Sequence, residues 1–141
     1  MIGITGTNGK TTTAFLTAGI LQEAGYRVGM IGTIESYDGR RRETVKNTTP
    51  ESCEIHRLLF RMVENECDCC VMEVSSQGLK YDRVADLHYE VCGFLNISED
   101  HISEAEHSDM EDYFTSKLKI FDRSRIACVN LDMDKTYLPR V

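Results

Sequence analysis

Gly6-Thr7-Asn8-Gly9-Lys10-Thr11-Thr12-Thr13 decides how the chain reads. A short apolar run, Met1 to Ile4, precedes it, and a helical pattern follows it to about Gly25. A strand, a glycine-rich turn and a helix N-terminus together form a cradle for an anion. The turn's N–H groups point inward and the helix dipole favours negative charge there. In such a turn Lys10 reaches the outer phosphates of a nucleotide and Thr11 offers its hydroxyl to Mg²⁺. Strict phosphate-loop spacing places a glycine five residues before Gly9, where this chain has Ile4; Gly3 and Gly6 stand nearby. The turn therefore reads as a variant phosphate loop. A ligand-free turn is the competing reading, and Gly9-Lys10-Thr11-Thr12 between strand and helix argues against it.

The rest of the chain alternates strand and helix patterns. Helix is expected over 11–25, with Ala14, Phe15, Ala18, Leu21 and Gln22 on one mostly apolar stripe and Gly25 just past its end. A strand is expected over 28–34, then an Asp38-Gly39 turn and a polar strand or loop over 42–46. Asn47-Thr48-Thr49-Pro50 leads into a second helix, with Thr49 or a neighbour as cap, Pro50 at the first helical position and Ile55, Leu58, Leu59 and Met62 inward. Strands are expected over 69–74, 89–97 and 125–131, the first apolar on both faces and so central. Between them lie a short irregular segment to about Asp86, a polar loop over 98–109 and a helix over 110–122. The alternation predicts an α/β fold with a doubly wound, mostly parallel sheet. The chain opens on a strand and stops where another helix is expected, near Asp132, and so reads as a piece of something longer.

Composition narrows the function. The 141 residues carry a formal net charge of −7, which disfavours a nucleic-acid backbone as partner. Local positive charge at a phosphate loop is compatible with that balance. No apolar run suits a membrane span and no signal peptide is evident, so no membrane role and a cytoplasmic location are expected. The six cysteines lie partly in apolar, strand-like runs, as reduced thiols do. Cys67 and Cys70 have metal-like spacing, but no second pair completes a zinc site.

Open parallel sheets bind ligands at the carboxyl ends of their strands. Beside the phosphate loop, two further strand ends carry chemistry: Glu73 with Ser75 and Ser76, and Asn96 with Asp100 and His101. A carboxylate at such an end completes Mg²⁺ coordination beside a phosphate loop. The competing reading of Glu73 is a solvated acid, and that of His101 an ordinary loop histidine. In helix 110–122, phase sets Lys117 beside Tyr113, Phe114 and Phe121, while Lys119 is expected to face solvent. Phase alone leaves two readings of Lys117 open: an amine paired in the interior, or one that snorkels to water.

Five motifs in one order resemble the central ATPase domain of the Mur ligases. They are the turn at Gly6–Thr12, Asn47-Thr48-Thr49-Pro50, Glu73-Val74-Ser75-Ser76-Gln77-Gly78-Leu79, Asn96-Ile97-Ser98-Glu99-Asp100-His101, and the run from Met110 to Phe121. The resemblance is greatest to the muramyl-tripeptide synthetases and covers nearly the whole chain. It implies ATP and Mg²⁺ as cofactors, with Gly6, Thr7, Asn8, Gly9, Lys10, Thr11 and Thr12 around the nucleotide. Thr11, Glu73, His101 and Lys117 would serve the metal, Lys117 as a carbamylated lysine. Lys10, His101 and Lys117 would carry catalysis. Thr48, Thr49 and Ser75 would touch a UDP-muramyl-dipeptide, to which an amino acid is added through an acyl phosphate. Many members have histidine at the place of Gln77 and a shorter loop than Asp100–His107; a subset of the tripeptide synthetases resembles the longer form, with His107 in the place of the second histidine. The resemblance also implies an N-terminal UDP-binding domain and a C-terminal domain outside this sequence. Folate polyglutamate ligases, which share the phosphate loop, and a nucleotide-binding module without ligase activity are the alternatives.

Overall fold

The computed structural model describes residues 1–99 and 107–141. Asp100 and His101, and with His101 its expected metal and catalytic roles, lie outside them.

One seven-stranded sheet carries the fold. Its strands in chain order are β1 (Ile2–Thr5), β2 (Val28–Ile31), β3 (Ser36–Tyr37), β4 (Arg42–Glu43), β5 (Cys69–Glu73), β6 (Tyr89–Phe94) and β7 (Ser124–Val129). They lie in the order β4-β3-β2-β5-β1-β6-β7. The five strands from β2 to β7 in that order are parallel, and β3 and β4 form an antiparallel flank. The helices are α1 (Lys10–Glu23), α2 (Ser52–Glu64), α3 (Ser76–Lys80) and α4 (Met110–Leu118).

Side chains alternate across the sheet, and each face is covered by a different helix. Ile4, Val28, Met30 and Val71 pack on Ala14 and Ala18 of α1. Ile31, Cys70 and Met72 pack on Ile55, Leu58 and Met62 of α2. The sheet is thus doubly wound, as the alternating pattern predicts. β5, between β2 and β1, is buried on both faces.

Several local expectations need correction. The stripe of α1 is Ala14, Ala18 and Leu21, whereas Phe15 and Gln22 are exposed. The small alanines let the helix lie close to the sheet, and the larger side chains point away. The helix ends as expected: Tyr26 N–H donates to Leu21 O at 3.0 Å and Gly25 N–H to Gln22 O at 2.9 Å, with Gly25 at φ +93°. Pro50 precedes α2 instead of opening it, and Glu51 stands at the cap. Helix 110–122 stops at Leu118, and a 3₁₀ turn takes Phe121–Arg123. After Asp132 the chain turns rather than entering an α-helix, and it closes on a 3₁₀ turn at Leu138–Arg140.

Candidate functional site

The site is built on the β1–α1 turn at the middle of the sheet. Gly9 caps α1 with φ +83° and no side-chain cap. Gly6 has no room for a side chain: a Cβ there would stand 3.0 Å from Leu95 Cβ and 3.3 Å from Asn96 N. The turn is stapled to the end of β6 by Asn96. Its Oδ1 accepts from Thr7 N at 3.0 Å and Asn8 N at 2.9 Å, and its Nδ2 donates to Asn8 O at 3.0 Å. Lys10 folds back over the turn, donating to Gly6 O at 2.9 Å and Thr7 O at 3.0 Å. The first N–H groups of α1, from Lys10 through Thr12, start a helix and have no intrahelical acceptor. This is the geometry of an anion cradle.

Glu73, at the end of β5, is fully buried rather than solvated. Thr11 Oγ1 donates to its Oε2 at 2.8 Å, Thr33 N–H to its Oε1 at 2.9 Å, and Thr33 Oγ1 to its Oε2 at 3.0 Å. Thr48 Oγ1 lies 3.0 Å from Thr33 Oγ1 and extends this chain of hydroxyls towards the surface. Gly32 makes the pocket possible, since a Cβ there would stand 2.4 Å from Glu73 Oε1.

Thr49 is also fully buried. Instead of capping α2, its hydroxyl donates to Glu73 O at 3.1 Å and accepts from Ser75 N at 2.8 Å. Gly78 packs against it; a Cβ there would meet Thr49 Cγ2 at 2.5 Å. Ser75 caps α3, its Oγ accepting from Gly78 N at 3.0 Å. Thr48, Thr49 and Ser75 all line one cleft, although the Thr49 hydroxyl is engaged by backbone.

Lys117 resolves the two readings of its helical phase. It is 1% exposed, and its Nζ donates to Gly6 O at 3.0 Å while lying 4.5 Å from the centroid of the Tyr113 ring. Snorkelling is excluded. Tyr113 OH in turn donates to Thr7 Oγ1 at 3.1 Å, so α4 grips the turn through two side chains. Lys119 is half-buried with Nζ 3.4 Å from Leu79 O, so it does not simply face water.

The cleft beside these residues has a volume of about 230 Å³. Lys10, Lys46, Arg83 and Lys117 line it, and among the described residues no carboxylate does. On a chain of net charge −7 this is a local reversal of sign. It suits an anionic ligand. Arg83 was not evident in the sequence as a site residue. It lies past α3, donates to Thr49 O at 3.2 Å and pairs with Glu51 at 2.9 Å. Its signal was a cation a few residues beyond a strand-end motif. Among the described residues, no group of three or more His, Cys, Asp or Glu side chains forms a metal cluster. Cys67 and Cys69 are half-buried and Cys70 is buried, where burial pushes its thiol up to about 12. Nor, among the described residues, is any helix long and apolar enough to cross a membrane.

A mostly parallel α/β sheet with a lysine-bearing turn, a buried acid and a cationic cleft at its carboxyl edge defines a domain of the doubly wound class, in which that edge is where ligands bind. The chain belongs to the Mur ligase family: the family model described as the Mur ligase middle domain matches residues 4–139. It is 46% identical over 132 residues to UDP-N-acetylmuramoyl-L-alanyl-D-glutamate–2,6-diaminopimelate ligase of Clostridium perfringens, covering 94% of this chain and 27% of that protein. It is 40% identical over 136 residues to UDP-N-acetylmuramyl-tripeptide synthetase of Leifsonia xyli, covering 95% of this chain and 26% of that protein. A solved 2,6-diaminopimelate ligase structure superposes with a TM-score of 0.82 at 27% identity, over 97% of this chain and 28% of that one. Mycobacterium tuberculosis folylpolyglutamate synthase, solved with ADP and AMPPCP, shares the fold at 19% identity with a TM-score of 0.67, over 98% of this chain and 38% of that one. The chain thus spans about a quarter of the length of the curated relatives it matches.

Proposed function

We propose that this chain is the nucleotide-binding part of an ATP-dependent amide ligase. The ligase extends UDP-N-acetylmuramoyl-L-alanyl-D-glutamate by one amino acid in peptidoglycan precursor synthesis, a cytoplasmic reaction. The observation that carries the reading is the convergence of the β1–α1 turn, Glu73 and Lys117 beside a cleft whose charged lining, among the described residues, is cationic. The muramyl ligases among its relatives, at 40–46% identity, favour this substrate class over folate, whose ligases match at 18–25% identity.

The roles follow from position. The amides of Gly9 to Thr12 and the Lys10 ammonium face the phosphates of ATP, for which Lys10 exchanges its contacts with Gly6 O and Thr7 O. The donor set fits Mg²⁺: Glu73 and the Thr11 hydroxyl are hard oxygens already 2.8 Å apart, with Thr33 beside them. When bound, the ion spreads the charge of the transferring phosphoryl group. A carbamate on Lys117 would convert its ammonium into a further oxygen donor in the same place. Arg83 and Lys46 are placed for carboxylates of the muramyl peptide, with Thr48 and Ser75 as hydroxyl contacts. The γ-phosphoryl passes to a substrate carboxylate. The acyl phosphate so formed is attacked at carbon by the amino acid's amine, and phosphate leaves as the amide forms. Lys10 and the turn amides stabilise charge on the transferring group.

The domains implied on either side would hold the UDP end and the amino acid. Without them the reactants are not held in attack geometry. The purified 141-residue chain is therefore expected to form no amide product by mass spectrometry. In a full-length ligase carrying this segment, Lys117→Ala is expected to cut amide formation at least a hundred-fold, the scale of ~3 kcal/mol in the transition state. Lys119→Ala is expected to leave it within a few-fold. Equal activity of Lys117→Ala and the parent would refute the role of that lysine.

A further inference from the structure

His107 has no part in the scheme above, yet its side chain is fully buried beside the cleft. Its ring packs edge-on against Tyr113, with centroids 5.1 Å apart. Its Nε2 lies 2.9 Å from Ser76 Oγ, and Ser76, the first residue of α3, lines the cleft. On its other side Nδ1 stands 3.3 Å from Asp112 Oδ2, at ion-pair distance but off the line of a good hydrogen bond.

Asp112 fixes the proton on that ring. Lys80 Nζ donates to its Oδ2 at 2.6 Å and Ser108 N–H at 3.1 Å. The Lys80 contact first, and the Ser108 amide with it, hold the Asp112 carboxyl down at about 2. Asp112 is therefore an acceptor with no proton to give. A lone pair on Nδ1 would face that carboxylate across 3.3 Å and be repelled, whereas a proton there is attracted. Burial holds the ring below its ordinary range, partly opposed by Asp112, so one proton is present and not two. With the proton on Nδ1, Nε2 is an acceptor, and the Ser76 hydroxyl donates to it.

We infer that His107 is a positioning residue, which turns Ser76 into a hydrogen-bond acceptor on the cleft wall, so that the ligand group seated there is an N–H or O–H donor. Ser76 has spent its one proton inward, and only its lone pairs remain for the cleft. A carboxylate or phosphate oxygen is repelled at this point and directed to Arg83, Lys46 and Lys10 instead. The wall is thus sorted: cations for the anionic groups of the ligand, Ser76 for an amide or hydroxyl. This assignment rests on the cleft being the substrate cleft of the proposed ligase; the state of the His107 ring does not.

The test is a long-range ¹H–¹⁵N NMR correlation of the ring in the full chain at pH 7. Nδ1 is expected at a protonated shift and Nε2 at an unprotonated one. In Ser76→Ala, Nε2 is expected to move towards the free, unbonded value while Nδ1 stays put. Protonation at Nε2, or at both nitrogens, overturns the inference, as does an unmoved Nε2 in a folded Ser76→Ala. If that variant does not fold, the wild-type tautomer decides alone. In a full-length ligase carrying this segment, Ser76→Ala is expected to weaken muramyl-dipeptide binding about five-fold, the loss of one neutral hydrogen bond. Undiminished binding overturns the ligand assignment. Failure of the parent ligase to bind that peptide, with the Nδ1–H form present, counts against the proposed substrate and leaves the His107 assignment standing.

Discussion

Glu73 and Lys117 are both closed off from water, at 0% and 1% exposure, yet they are held in different ways. Glu73 is an acceptor ringed by rotatable hydroxyls and one amide, from Thr11 and Thr33. Lys117 lies on a fixed backbone carbonyl, Gly6 O, and over the face of Tyr113. The hydroxyls around Glu73 can swing to present lone pairs to a cation without moving the backbone. Gly6 O, in contrast, ties Lys117 to the geometry of the turn itself. In the proposed ligase one group would offer adjustable coordination, and the other would report on whether the turn is in place.

That contrast can be broken at either end. The largest effect is expected at Glu73. Glu73→Ala strands the Thr33 amide and two hydroxyls without their acceptor. Each stranded buried group costs about 1–3 kcal/mol, partly recovered by water entering the space, so a loss of at least ~2 kcal/mol is expected by chemical denaturation. An unchanged midpoint would mean that the buried acid is not the hub of this network.

A smaller effect is expected at Lys117. Lys117→Met keeps the apolar stem and removes the donor to Gly6 O, with an expected loss of about 1–2 kcal/mol. Lys119→Met removes only a long contact to Leu79 O, and the expected change is within about 0.5 kcal/mol. Equal effects of the two would erase the distinction between the lysines.

The smallest effect concerns Asp112, which anchors the start of α4 and so the approach of Lys117. Its carboxyl is held at about 2, against an ordinary 3.8, first by Lys80. The folded value lies below the unfolded one, so this contribution is complete above about pH 4 and is lost as pH falls from there towards 2. Lys80→Ala is expected to raise the Asp112 midpoint in an NMR titration towards the ordinary value. A midpoint unmoved by that substitution would assign the depression to the Ser108 amide instead.

The sequence made the sheet and its winding legible, because alternating apolar strands and helix caps are local signals. It also singled out the strand ends, and the structure brings Lys10, Thr11 and Glu73 together there, with Lys117, whose phase alone left two readings open, buried against the same turn. Other features depended on contacts that no local pattern encodes. Thr49 looked like a helix cap, but its hydroxyl bridges Glu73 O and Ser75 N, some twenty-five residues away in sequence. Gly32 and Gly78 each leave room for the side chain beside them, Glu73 and Thr49, a contact that no local pattern encodes. The stripe of α1 was drawn too wide, taking in Phe15 and Gln22, because its buried residues are small alanines that mark the inward face only weakly. Lys119 was set in water because helical phase knows nothing of Leu79 on a neighbouring helix.

The central claim is that the β1–α1 turn binds the phosphates of a nucleotide through Lys10. Isothermal titration of the chain with ATP, with and without Mg²⁺, tests it most directly. The wild-type chain is expected to bind ATP in a Mg²⁺-dependent manner, and Lys10→Ala to lose that binding while keeping its fold by circular dichroism. ATP binding by Lys10→Ala as tight as wild type would contradict the account.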